Sequence, residues 1–176
     1  MQTLILIGYR GTGKTTVARK LAERLGIPMF DSDVEIERWS GKSIAEIFAQ
    51  DGEPAFRDME ESVIAAILAP DKREFVLATG GGAVLRSQTR ERLRQSGRVI
   101  WLTATPETIL RRISADAASK TMRPNLTSLP MREEIVAGLE QRIPLYAETA
   151  LETIDTDSQT ATEIVETILS NHKLGV

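Results

Sequence analysis

The octapeptide Gly8-Tyr9-Arg10-Gly11-Thr12-Gly13-Lys14-Thr15 constrains this chain more than any other stretch. It fits G-x-x-x-x-G-K-[ST] directly behind the apolar run Leu4-Ile5-Leu6-Ile7. In a P-loop of this kind, glycines let successive backbone N–H groups turn inward around a polyphosphate. The lysine adds a point charge at the transferring end, and the threonine offers a hydroxyl to Mg²⁺. The competing reading is a flexible surface loop. The residues after Thr15 oppose it: Val17, Ala18, Leu21, Ala22 and Leu25 recur at helical spacing, and Gly26 with Pro28 stops the run. Strand, glycine loop and helix in that order are what phosphate binding requires. Gly11, Thr12, Gly13, Lys14, Thr15 and Thr16 are therefore expected to hold a nucleotide.

A chain of 176 residues, 41% hydrophobic and 27% charged, is long enough for one well-buried core and short for two, so a single domain over 1–176 is expected. With no cysteine, disulfide frameworks and thiolate metal sites are excluded. No long apolar run and no basic leader precede the first strand, so a cytoplasmic protein without membrane contact is expected. The net charge of -3, from 22 basic and 25 acidic residues, provides no global field for nucleic acid. Anionic ligands must then be held by local cations. The one histidine, His172, follows an amphipathic helix close to the C-terminus and suits a helix end better than catalysis.

Beyond Pro28, a short apolar segment ends in Asp31-Ser32-Asp33, either carboxylates at the mouth of a sheet or the cap of a helix over Val34 to Trp39. Ser43 to Glu46 forms a capping box. Glu53 to Leu68 then reads as a helix with Phe56, Met59, Val63, Ile64, Ile67 and Leu68 inward, and spacing alone favours a surface pair between Arg57 and Glu60 or Glu61. Phe75 to Thr79 reads as a central parallel strand running into Gly80-Gly81-Gly82. Those glycines serve either close approach to a ligand or a sharp turn at positive φ. A helix over Ser87 to Gln95, a strand Val99 to Leu102 with Trp101 in the core, and a helix from Thr105-Pro106-Glu107 come next. The last carries Ile109, Leu110 and Ile113 inward and Arg111 and Arg112 outward. From Ala115 to Pro130 periodicity fails, and the stretch, with Lys120 and Arg123, reads as a mobile loop. Met131 to Arg142 is helical, with Ile135, Val136, Leu139 and Ile143 inward and Pro144 ending or kinking it. A strand over Leu151 to Ile154 and a helix capped by Thr160 to Glu163 close the chain. The alternation predicts an α/β three-layer sandwich, a five-stranded parallel sheet with helices on both faces.

Several P-loop classes are disfavoured. Thr79 and Thr103 stand where motor proteins end a strand in a metal-holding aspartate, leaving Asp31 as the replacement, and no Asn-Lys-x-Asp guanine motif occurs. The chain is also small for a helicase and lacks a basic face. A kinase of small molecules or nucleotides remains.

At this point the chain resembles the shikimate kinase family over nearly its whole length. Gly8 to Thr16, Phe30 to Asp33, Phe56-Arg57 with Glu60-Glu61, Ala78 to Gly82, Arg123-Pro124 and Arg142-Ile143-Pro144-Leu145-Tyr146 carry the resemblance. It implies a P-loop fold like that of nucleoside monophosphate kinases, with a mobile lid over about 115–130 and substrate-binding helices over about 33–62. The activity it implies is transfer of the ATP γ-phosphoryl group to the 3-hydroxyl of shikimate, in aromatic amino-acid biosynthesis. Lys14 and the loop amides would hold the phosphates, Thr15 would ligate Mg²⁺, and Asp31 would support the metal through water. Asp33 would grip the ring hydroxyls and orient or deprotonate the nucleophile. Arg57 and Arg142, with the backbone of Gly80, Gly81 and Gly82, would clamp the substrate carboxylate, and Arg123 would reach the phosphates from the lid. Gln159, and less directly Arg112, would sit beside adenine. A monomer with ATP and shikimate as its partners is expected. The lid departs from the family pattern, reading Arg123-Pro124-Asn125-Leu126 where two leucines usually follow the proline. The rivals are a related kinase acting on gluconate or a nucleoside monophosphate, and a catalytically silent relative that only binds; intact Lys14, Asp33 and Arg142 oppose the second.

Overall fold

The computed structural model describes residues 3–69, 74–115 and 130–173. Strands β1 (Leu4–Ile7), β2 (Met29–Asp31), β3 (Val76–Ala78), β4 (Arg98–Thr103) and β5 (Glu152–Asp155) form one sheet in the order β2-β3-β1-β4-β5. Every pairing is parallel, with Leu4 level with both Val76 and Arg98. Among the described residues eight α-helices accompany it: α1 (Lys14–Leu25), α2 (Ser32–Ser40), α3 (Ile44–Gln50), α4 (Gly52–Ile67), α5 (Ser87–Ser96), α6 (Pro106–Ala115), α7 (Met131–Thr149) and α8 (Ala161–Lys173).

The uniformly apolar β1 is explained by burial on both faces. Leu4 and Leu6 pack with Val17, Ala18 and Leu21 of α1 and with Ile164, Val165 and Ile168 of α8. Ile5 and Ile7 point the other way, into Ile36, Phe56, Val63, Ile64 and Leu93 from α2, α4 and α5. Each such side chain contributes about 1.5–3 kcal/mol by leaving water. A third, smaller core of Tyr9, Ile109, Ile113 and Ile135 joins the glycine loop to α6 and α7. The three-layer α/β expectation holds, and the loop after the central strand opens at the carboxyl edge of the sheet, where ligands of such folds bind.

Two local expectations fail, and of the two alternatives for Pro144 one is removed. Pro144 does not end its helix, which continues to Thr149. The proline and Glu140, whose carbonyl loses its partner, are both exposed, so solvent satisfies that carbonyl while buried Tyr146 and Thr149 hold the last turn. Ile143 is 43% exposed, because the inward stripe runs Ile135, Leu139, Arg142, Tyr146 and places an arginine where an aliphatic residue was expected. Trp101 is only half-buried and stacks on Tyr146 with ring centroids 5.6 Å apart. The segment carrying Lys120 and Arg123, proposed as the lid, and the side chain of His172 lie outside the described residues.

Candidate active site

The glycine loop adopts a conformation that side chains would forbid. Gly8, Gly11 and Gly13 have φ of 142°, 80° and 90°, and a methyl group at Gly8 would overlap the carbonyl oxygen of Leu102. Gly13 caps α1 without any side-chain acceptor, and no acid stands in the first turn. The first intrahelical bond runs from Val17 N–H to Gly13 O at 3.0 Å, so the N–H groups of Thr15 and Thr16 lie ahead of the ladder and face outward with the positive end of the helix dipole. Lys14 is buried, and its Nζ arches back across the loop to donate to Tyr9 O at 2.8 Å; Thr12 Oγ1 donates to the same carbonyl at 2.8 Å. The ring of Tyr9 is pressed against α7, where Gly138 leaves it room. Arg10 is 13% exposed and donates to Glu134 Oε1 at 2.7 Å, a largely buried pair that ties the loop to the first turn of α7.

The aspartates at the end of β2 serve both as a helix cap and as carboxylates of the cleft. Asp31 caps α2, accepting from Asp33 N–H at 3.0 Å, and also accepts the Thr15 hydroxyl at 2.7 Å. Burial, and next the charge of Asp33, push the pKa of Asp31 above the ordinary 3.8, against the Thr15 and Asp33 hydrogen bonds and the charge of Lys14. Repulsion between the two carboxylates adds to the cost of burying Asp31. A hydroxyl and a carboxylate there are oxygen donors of the kind magnesium takes, and magnesium rarely uses an all-protein cage. The Thr15 hydroxyl and the Asp31 carboxylate fit a magnesium ion as oxygen donors.

Across the cleft, the Arg57–Glu60 pair expected at the surface is buried. Arg57 is 8% exposed and Glu60 3%, with Nη1 donating to Glu60 Oε2 at 2.6 Å. Nε and Nη2 donate to Glu53 at 3.2 and 3.1 Å, and the guanidinium lies 5.0 Å from the ring centre of Phe56. Those bonds use three of its five N–H groups, leaving donors for a ligand. The glycines after β3 lie against it. None of Gly80, Gly81 and Gly82 has positive φ, so the turn explanation fails. Close approach is the physical reason instead: a methyl group at Gly82 would overlap the Arg57 guanidinium, and one at Gly81 would meet Arg10 N at 3.1 Å. Gly80 N–H donates to the buried Ser32 Oγ at 2.8 Å, fixing the turn to the start of α2. Arg142 enters from α7, its guanidinium 5.2 Å from the ring centre of Tyr9, its Nη1 at 3.4 Å from Gly81 O and its Nε buried without an acceptor.

At the third corner Arg112 does not face outward as its helix position suggested. It donates to Thr156 Oγ1 at 2.9 Å, to Thr156 O at 2.5 Å and, more distantly, to Gly11 O at 3.4 Å, binding the turn after β5 to the glycine loop. Gln159 is on that turn and donates to Asp155 O at 2.7 Å. Thr79 and Thr103 spend their hydroxyls on the neighbouring carbonyls of Leu6 and Ile154. Sequence reasoning did not find Tyr9, Ser32, Glu134 or Tyr146 as parts of the site. Tyr146 was visible only as the last residue of a motif, and Glu134 had no signal, since pairing across 124 positions leaves no local pattern.

The arrangement joins a nest of amides beside a lysine, a pair of carboxylates, and two arginines with a glycine turn that together suit a second, acidic ligand. A family model described as shikimate kinase matches residues 10–173. The chain is similar to a shikimate kinase of Syntrophus aciditrophicus, 43% identical over 96% of this chain and 89% of that one, and to one of Rhodopirellula baltica, 41% identical with the same coverage. Among solved structures it is similar to a shikimate kinase from Acinetobacter baumannii in complex with shikimate, with a TM-score of 0.92 and 37% identity over 99% of this chain and 94% of that one.

Proposed function

The chain belongs to the shikimate kinase family, and from that premise we propose how its own residues divide the work. The protein is a phosphotransferase that uses ATP to phosphorylate shikimate in aromatic amino-acid biosynthesis. The acceptor atom in this reading is the 3-hydroxyl. The observation that carries the division is that Arg57 and Arg142, from two distant segments, both lie against the Gly81-Gly82 turn beside the glycine loop.

The amides of Gly11 to Thr16 and Lys14 hold the phosphates. Lys14 exchanges the Tyr9 carbonyl for a charged phosphate oxygen, a stronger acceptor for its ammonium. Thr15 and Asp31 would hold Mg²⁺, which would supply positive charge against the phosphate oxygens. Asp33 binds the ring hydroxyls and orients the nucleophile, accepting its proton as the new P–O bond forms. The transition state of phosphoryl transfer is loose, so position and charge matter more than a strong base, and an ordinary aspartate suffices. Arg57, Arg142 and the Gly80 to Gly82 backbone hold the acid. Planar guanidinium groups match a carboxylate with paired donors, which an ammonium cannot do. Arg112 and Gln159 flank the base. Arg123 lies outside the described residues, and its approach to the phosphates, like a lid over about 115–130, rests on the family resemblance alone.

One domain over 1–176, with α2 to α4 over about 33–62 as its acceptor side, and a monomer as the working unit follow from the family resemblance. ATP as co-substrate supports the cytoplasm as the compartment. Among the described residues no helix is long and apolar enough to cross a membrane. A coupled assay of ADP release, run with shikimate, gluconate, AMP and no acceptor, tests the acceptor: shikimate alone should give turnover. Equal rates in all four would remove it as the substrate.

A further inference from the structure

The proposed mechanism leaves the buried phenol of Tyr146 without a task. Tyr146 is 1% exposed, and its hydroxyl donates to Gly81 O at 2.5 Å. Burial pushes the phenol's pKa well above 10.0, so the group stays a donor at every working pH. Its ring is fixed by stacking on Trp101. Arg142, one helical turn earlier on the same face, reaches the same oxygen with Nη1 at 3.4 Å.

A trans peptide carries its C=O and the following N–H on opposite sides of one plane, and the described chain contains no cis bond. Drawing the Gly81 carbonyl into α7 therefore turns the Gly82 N–H the other way. Among the described residues neither Gly81 N–H nor Gly82 N–H meets a protein acceptor, although both glycines are buried. Buried amides are nearly always paired, so two adjacent exceptions beside the Arg57 guanidinium mark a place for an anion. We propose that Tyr146 is a positioning residue for the acid end of the substrate, its phenol holding the Gly81 carbonyl back so that the glycine turn presents the Gly82 N–H to the carboxylate. The inference rests on the carboxylate clamp of Arg57 and Arg142.

The test is Tyr146→Phe, which keeps the ring and its stacking, assayed with shikimate and with its neutral carboxamide, beside Arg142→Ala. Loss of one buried hydrogen bond that orients the turn should raise the KM for shikimate about three- to tenfold. The kcat and the KM for ATP should stay within about twofold, and kcat/KM for the carboxamide should be nearly equal in the two proteins. A merely structural phenol would penalise acid and amide alike. Equal penalties, or an unchanged KM for shikimate while Arg142→Ala raises it, overturn the role of Tyr146 alone. An unchanged KM in Arg142→Ala would overturn the clamp and this inference with it.

Discussion

The two ends of the cleft are built by different means. The phosphate end is a contiguous octapeptide whose donors are main-chain amides, and its glycines are required by positive φ at Gly8, Gly11 and Gly13. The acceptor end is gathered from α4, the turn after β3 and α7, and its glycines are required by the close approach of Arg57 and of the glycine loop to Gly82 and Gly81. A backbone nest grips any polyphosphate tail and says little about the partner. In the proposed division of roles, guanidinium groups brought from distant segments select one acid, so the first end supplies the reaction class and the second the substrate.

Changes at the reacting centre should be the largest and should not sort by substrate. Lys14→Ala, removing the charge beside the transferring phosphoryl group, should lower kcat by roughly 10²–10³-fold or more. Asp33→Asn should lower kcat by about 10²-fold or more while ATP still binds, as measured by titration calorimetry. Unchanged turnover in the second would take Asp33 out of the mechanism. Gly82→Ala separates the ends more finely: its methyl group pushes aside the Arg57 guanidinium and should cost about 1–3 kcal/mol in thermal unfolding and raise the KM for shikimate, leaving the KM for ATP alone. An effect on ATP instead would blur the division.

The smallest effect expected is on stability, and its sign is the informative part. Asp31 has a raised pKa in the folded state, so the protein loses stability as pH rises from the ordinary 3.8 through that raised value, and stays penalised above it. Asp31→Asn keeps a good helix cap and removes the repulsion from Asp33. The variant should melt at the same temperature or slightly higher than the parent at pH 7, with the gain shrinking towards pH 4, and it should lose activity. A lower melting temperature at pH 7 would mean that Asp31 is there for the fold rather than for a cation.

The same contrast explains how much of the molecule was legible in its sequence. The P-loop was legible because its conformation demands particular residues in a row, and the β1 core because burial on both faces erases alternation. The Ser43 and Thr160 capping boxes were legible for the same local reason. Arg57 and Glu60 read as a surface pair, since spacing within a helix cannot tell which neighbours will cover it. Arg112 read as outward because its partner, the turn at Thr156, lies 44 positions away. Only the family resemblance pointed to Arg57 and Arg142 as a clamp, and even that gave Tyr146 no task.

Titration calorimetry of Arg142→Ala with shikimate and separately with ADP tests the division most directly. Losing one charge-assisted grip on the acid should weaken shikimate binding about tenfold or more and leave ADP within about twofold of the parent. Comparable losses for both ligands, or a loss confined to ADP, would contradict an acceptor site built apart from the phosphate nest.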